Sequence, residues 1–176
     1  MEVKTPKESL TILTDLVLPG ETNYLDNLFG GELLARMDRA CSIAARRHSS
    51  RIVVTASVNH VAFNKSIPVG SVVTLEAKVS RAFKSSMEVF IEVYAQNIPK
   101  GEKFKCNDAY YTFVALDSRN KPIKVPAIEP ETEEDQKYYD GALRRRQVRL
   151  VLAGKLKPSD AHELRDFLVA QNNQEK

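Results

Sequence analysis

A chain of 176 residues with 43% hydrophobic content is long enough to bury one sizeable core, and one domain with an appendage is expected. Its 26 Lys and Arg against 23 Asp and Glu leave a net charge of +3, too small an excess to make nucleic acid the main partner. Two cysteines, Cys41 and Cys106, without C-x-x-C spacing, argue against a disulfide framework or a zinc site and fit a reducing cytoplasm.

Met1 to Lys7 lacks a basic region followed by an apolar run, and no window approaches the ~18 apolar residues of a membrane span. A soluble, cytoplasmic protein without membrane contact is expected. Leu10 to Leu18 reads as a strand closed by the turn Pro19-Gly20. From Leu28 to about Arg47 good helix formers run without proline, and Arg46-Arg47-His48 sits where the negative end of a helix favours cations. Four strands are predicted next, Ile52 to Phe63, Val72 to Phe83, Met87 to Gln96 and Lys105 to Leu116, with turn signals at Pro68-Val-Gly70, Lys84-Ser-Ser86 and Pro99-Lys-Gly101.

One helix segregated from a run of strands predicts an α+β fold, an antiparallel sheet wrapped round one long central helix. After Leu116 a turn leads into Pro126 and Pro130, and the composition becomes charged and helix-friendly. A boundary is therefore set near residue 128, dividing a domain of residues 1–128 from a helical C-terminal extension of residues 129–176. In that extension Asp160 and Glu163 have capping-box spacing, and Arg144-Arg-Arg146 reads as a solvated helix face.

The chemistry concentrates in the long helix and the loop before it. On a helical wheel Leu33, Leu34, Met37, Ala40, Cys41, Ala44 and Ala45 share one broad face, with Glu32, Arg36 and Arg39 opposite. Asp38 falls at the margin of the apolar face with no cationic partner at helical-neighbour spacing, so another element must supply its hydrogen bonds. A carboxylate in such surroundings is either paired across the fold or a functional acid. Gly30 and Gly31 stand where the loop becomes helix, allow close approach of a ligand and present unpaired N–H groups suited to a developing oxyanion. Asn27 precedes them.

Taken together, Asn27-Leu-Phe-Gly-Gly31, Met37-Asp38, Val53-Val-Thr55, Phe63-x-Lys65, Pro68-Val-Gly70 and the Ser85-Ser86 turn resemble the hotdog-fold acyl-CoA thioesterases, in particular the bacterial and brain-type acyl-CoA hydrolases, over roughly residues 10 to 126. The resemblance implies a hotdog fold and hydrolysis of fatty acyl-CoA to the free acid and coenzyme A. It also implies a homo-oligomer: a dimer joined through sheet edges, commonly a trimer of dimers, with sites at subunit interfaces where Asn27 of one subunit faces Asp38 of its partner. Asp38 then matches the acid that activates water or attacks directly, Asn27 the residue holding water or carbonyl, and Gly31 the N–H that polarises the carbonyl. No metal or cofactor is implied beyond coenzyme A as part of the substrate. A glycine commonly precedes the Asn position in the family, and Tyr24-Leu25-Asp26 departs from that.

For the coenzyme A moiety the candidates are Gly30, Arg51, Lys65, Arg81, Lys84, Ser85 and Ser86, basic, hydroxyl or glycine positions near strand and helix ends. His60 reads as a structural histidine of its strand, and neither cysteine nor any serine has a nucleophile-activating motif. A hotdog hydratase or dehydratase would want a histidine paired with an acid near the helix start, where none stands; a non-catalytic acyl-CoA-binding protein is the alternative from another class.

Overall fold

In the computed structural model, which describes residues 3–174, the chain divides after Glu129 into two units. The first opens with β1 (Val3–Lys4) and the single turn α1 (Pro6–Ser9), where Thr5 and Glu8 form a capping box around Pro6. Strand β2 (Thr11–Leu16) stops short of Pro19 as expected. Helix α2 (Gly30–Ser49) follows the loop. Four strands come next: β3 (Ile52–Asn59), β4 (Val72–Ala82), β5 (Ser86–Asn97) and β6 (Glu102–Leu116). A short β7 (Ala127–Ile128) pairs parallel with β1 and closes the unit.

The five long strands form one antiparallel sheet in the order β2-β4-β5-β6-β3, with α2 against one face. Alternate residues of the central strands meet the helix: Val73, Leu75, Ala77 and Val79 of β4, Met87 to Ala95 at every second place of β5, and Ala109, Tyr111, Phe113 and Ala115 of β6. The helix answers with Leu33, Met37, Ala40, Cys41, Ala44 and Ala45, all buried. Small residues at four of those positions let the backbone of α2 approach the sheet closely, so the hydrophobic stripe read from the sequence is the core face except at Leu34, which is half-buried and lines an open groove.

Element boundaries moved for local reasons. Helix α2 starts at Gly30 rather than Leu28, because the N–H groups of Leu28 and Phe29 are already bonded to the carbonyls of Ile67 and Glu21. It ends where Ser50 turns left-handed, at φ 52°, and donates to Arg46 O. Strand β3 ends at Asn59, four residues before the expected Phe63, since His60 takes φ 56° and leaves extended geometry. His60 is therefore an exposed residue after the strand, not a structural one within it. Strand β6 begins three residues early because the turn at Gly101, φ 69°, lets residues 102–104 pair with 95–97.

The second unit contains α3 (Glu133–Leu152) and α4 (His162–Gln174). Thr132 caps α3 by accepting from Asp135 N, and three acids occupy its first turn, where the helix dipole favours them. Asp160 does not cap α4: it lies in a short 3₁₀ turn and accepts from Ser159 Oγ. The run Arg144 to Arg146 is half-buried rather than fully solvated; the Arg144 guanidinium lies 4.3 Å from the Phe167 ring and Arg145 donates to Tyr138 O. Glu175 and Lys176 of the expected extension lie outside the described residues. Among the described residues no helix is long and apolar enough to cross a membrane.

Candidate active site

Asp38 projects from α2 toward β3, where its Oδ1 accepts a hydrogen bond of 2.8 Å from the Thr55 hydroxyl. Regular alternation in β3 brings Thr55 to this face, and a bulge follows directly after it. Residues Val53 and Thr55 face the helix in regular alternation, the register then slips between Thr55 and Ser57, and Val58 returns to the same face opposite Tyr111. The extra residue thus gathers Thr55 and Val58 on the helix side of one edge strand, a device that re-aims side chains beside a site. Asp38 itself is half-buried, and Thr55 is exposed along the strand edge.

Beside Asp38 lies an open groove of about 490 Å³ lined by Leu34, Ala35, Asp38, Val58, Val61, Phe63 and Tyr111. Asp38 is its one carboxylate. The Tyr111 hydroxyl is held by Leu34 O at 3.4 Å; burial, the neighbouring Cys41 and the Asp38 charge push its pKa far up, so it is a neutral wall residue. Burial and, after it, the Asp38 charge also push the Cys41 thiol well above its ordinary value, which removes it as a nucleophile. Burial likewise raises Cys106, to about 11.

The start of α2 borders the same groove through Phe63, whose ring would sit 3.2 Å from a Cβ added at Gly30. Around Gly31 the nearest atom to an added Cβ is Phe29 Cδ1 at 3.8 Å, so its glycine leaves space rather than relieving a clash within the subunit. No side chain caps the helix, and Leu33 N is the first to bond within it, to Phe29 O. The N–H groups of Gly30, Gly31 and Glu32 precede that bond and form the positive end of the helix.

The loop ahead of the helix is organised by Asn23. Its Oδ1 accepts from the N–H groups of Leu25 and Asn27, and its own N–H bonds to Asn27 O. Asn27 is half-buried and turns its amide back onto Leu25 O. Asp26 sits left-handed at φ 55°, which lifts Tyr24 and Leu25 into solvent.

Arg36, read as part of the charged face, is instead 4% exposed. Its Nη2 meets Glu21 Oε1 at 2.7 Å and Leu16 O at 3.3 Å, with Asp15 3.5 Å away. A wheel drawn on one helix cannot see the loop and strand packed against it.

The basic and hydroxyl candidates scatter. Arg51 lines a second depression with Arg46, Ser50 and Asp117 at the far end of α2, and none of its lining is shared with the Asp38 groove. Lys65 is exposed, its ammonium 5.4 Å from the Phe104 ring. Arg81 lies against Phe83 at 5.6 Å. The Lys84-Ser85-Ser86 turn is knitted to its own fold, its three carbonyls accepting from Val125, Ala115 and Phe83. The structure thus brings Asp38, Gly30 and Thr55 into one neighbourhood and leaves Arg51 out of it.

The Thioesterase superfamily profile matches residues 25–102. YkhA, an uncharacterized acyl-CoA thioester hydrolase of Bacillus subtilis strain 168, is 41% identical over 148 residues, 84% of this chain and 86% of that protein. A solved apo-hexameric acyl-CoA thioesterase superposes with a TM-score of 0.84 at 38% identity, over 87% of this chain and 98% of the other. An acyl-CoA hydrolase from Staphylococcus aureus, solved with butyryl coenzyme A, coenzyme A and coenzyme A disulfide, gives 0.80 at 35% identity over 87% and 95%. That enzyme was also solved with an aspartate, a threonine 17 residues after it and an asparagine 15 residues before it each changed to alanine. The same types at the same spacing here are Asp38, Thr55 and Asn23. Thr55 stands in a motif to which the sequence alone assigns no role, and Asn23 is not among the candidates read from the sequence; their spacing to Asp38 becomes informative only beside that enzyme. With its helix held in an antiparallel sheet and an acid at the margin of that helix, the chain belongs to the hotdog-fold Thioesterase superfamily, among the acyl-CoA thioester hydrolases.

Proposed function

We propose that the chain hydrolyses acyl-CoA thioesters to the free acid and coenzyme A in the groove beside Asp38. The observation that carries this reading is the 2.8 Å bond from Thr55 to Asp38 on the wall of a groove whose other lining is largely apolar. Thr55 holds one carboxylate oxygen and leaves the other to take a proton from water. The water oxygen adds to the thioester carbonyl carbon, the C–S bond breaks, and the proton returns from Asp38 to the leaving thiolate. Negative charge growing on the carbonyl oxygen is met by the uncapped N–H groups at Gly30 and Gly31 of a paired copy, since within one helix they stand ~10–12 Å along the axis from Asp38. Asn23, with Asn27 behind it, shapes the loop that leads to those groups. The steps call for no metal or cofactor, coenzyme A entering as part of the substrate.

The active form in this reading is a homo-oligomer. Among the described residues β3 pairs only with β6, and its outer edge exposes Ile52, Val54 and Val58, a ladder ready for a second copy. Such pairing would cover Thr55, enclose the groove and bring a partner's loop toward Asp38; three such dimers would make a hexamer of the kind named for the solved thioesterase. Two buried free thiols suit a cytoplasmic enzyme.

The test is release of coenzyme A thiol from short-, medium- and long-chain acyl-CoAs. Turnover by the wild type and loss of ~100-fold or more in an Asp38→Ala variant of unchanged assembly support the reading. Binding of acyl-CoA without turnover at any chain length would replace it with a binding protein.

A further inference from the structure

Arg36 is placed oddly for an arginine. It is 4% exposed, on the helix that carries Asp38, and its Nη1 finds no acceptor among the described residues. Burying a guanidinium with one nitrogen unpaired is a poor device for stability alone, because desolvation outweighs much of what an ion pair returns.

What Arg36 holds explains the placement. Its Nη2 donates to Glu21 Oε1 at 2.7 Å; the other oxygen of that carboxylate accepts from Leu18 N at 2.9 Å, and the Glu21 carbonyl accepts from Phe29 N at 2.9 Å. Glu21 and Phe29 are therefore the two feet of the loop of residues 22–28, and Phe29 is also the N-cap residue of α2. Leu18, before the loop, and Leu16 O, through the second contact of Arg36, are tied to the same point.

We infer that Arg36 is a positioning residue: through Glu21 it clamps the loop carrying Asn23 and Asn27, and the Phe29–Gly30 entry to α2, onto the helix that bears Asp38. The inference rests on the proposed hydrolysis for its consequence but on geometry for its mechanism. Loop and helix come from separate segments, and the Arg36–Glu21 bond fixes the loop of residues 22–28 against the start of α2, beside the Gly30 and Gly31 N–H groups.

The experiment compares wild type with Glu21→Gln, Arg36→Gln, Arg36→Lys and the double Glu21→Gln/Arg36→Gln, reading amide hydrogen exchange and steady-state kinetics on the same folded samples. In Arg36→Gln the amides of Leu18, Leu25 and Phe29 should exchange ~10-fold faster or more while those of β4 and β5 keep their protection. Turnover should fall ~10- to 100-fold with KM within about twofold, as expected of misplacement rather than lost binding. Arg36→Lys should recover part of it, and the double variant should be no worse than the poorer single one. Should Arg36→Gln fail to fold, Glu21→Gln, an isosteric change at a half-buried side chain, carries the same expectations.

Unchanged exchange in the loop overturns the clamp. Faster exchange with unchanged turnover overturns its positioning role, as does loss of turnover that multiplies in the double variant. Exchange reads the clamp even if the wild type hydrolyses no acyl-CoA, in which case the thioesterase reading fails and the clamp stands or falls on its own measurement.

Discussion

The hydroxyl of Thr55 donates to Asp38 across 2.8 Å, joining the edge strand β3 to the central helix α2 immediately before a bulge shifts the strand's register. Of the described residues' carboxylates, this is the one that combines a groove, a helix start and a hydroxyl donor. The pairing also ranks the two residues: one performs proton transfer in the proposed reaction, the other orients it.

Replacing Asp38 with Ala should therefore cost ~100- to 10,000-fold in turnover, whereas Thr55→Ala, which removes one hydrogen bond to a charged group, should cost ~10- to 100-fold. Thr55→Ser should retain most of the activity because it keeps the hydroxyl. Equal losses for Thr55→Ala and Asp38→Ala would show the threonine to be more than an orienter.

The two glycines at the helix start separate folding from function. An alanine at Gly31 meets only Phe29 at 3.8 Å, and alanine is the better helix former by ~1 kcal/mol, so Gly31→Ala should match or exceed the wild type in urea unfolding. If the thioester carbonyl approaches that backbone, the same variant should nonetheless lose turnover. At Gly30 the added methyl presses on Phe63, so the groove wall shifts and chain-length preference is the readout expected to change.

Cys41 and Cys106 are both buried, with thiol pKa values raised by burial. Folded protein at pH 8 should show no fast reaction with a thiol reagent, and two equivalents should appear on denaturation. Rapid modification of the native protein would mean that the core face of α2 opens.

Glu21 titrates below its ordinary value, first because Leu18 N–H bonds its carboxylate and then because of Arg36. A depressed acid contributes its stabilisation above the unfolded value of ~4.3 and loses it as pH falls through the folded value. Wild type and Glu21→Gln should thus differ in loop exchange at pH 7 and converge only once the pH has fallen through the lowered folded value of Glu21. A difference that persisted in acid would assign the effect to packing rather than charge.

Met87 is fully buried on the central strand β5, facing the helix. Met87→Ala should destabilise the first unit by ~2–5 kcal/mol in denaturant unfolding, with the cost set by how far the cavity collapses. A cost below ~1 kcal/mol would mean that the sheet and helix repack readily there.

The sequence by itself determined the long helix, its buried stripe and the antiparallel series of strands, because these rest on periodicities of 3.6 and 2 that each segment carries alone. It also singled out Asp38, as an acid out of place on an apolar margin, and Gly30-Gly31 at a helix start. Only the tertiary structure decided what Asp38 touches, since Thr55 lies 17 residues on in another element and meets it only because β3 packs beside α2. Arg36 shows the same limit from the other side: identical in sequence terms to a surface charge, it is buried because the loop and β2 fold over it and supply Glu21 and Leu16 O. Periodicity reports which face of an element is apolar; which polar groups meet is settled by segments arriving from elsewhere, at distances the chain alone does not encode locally.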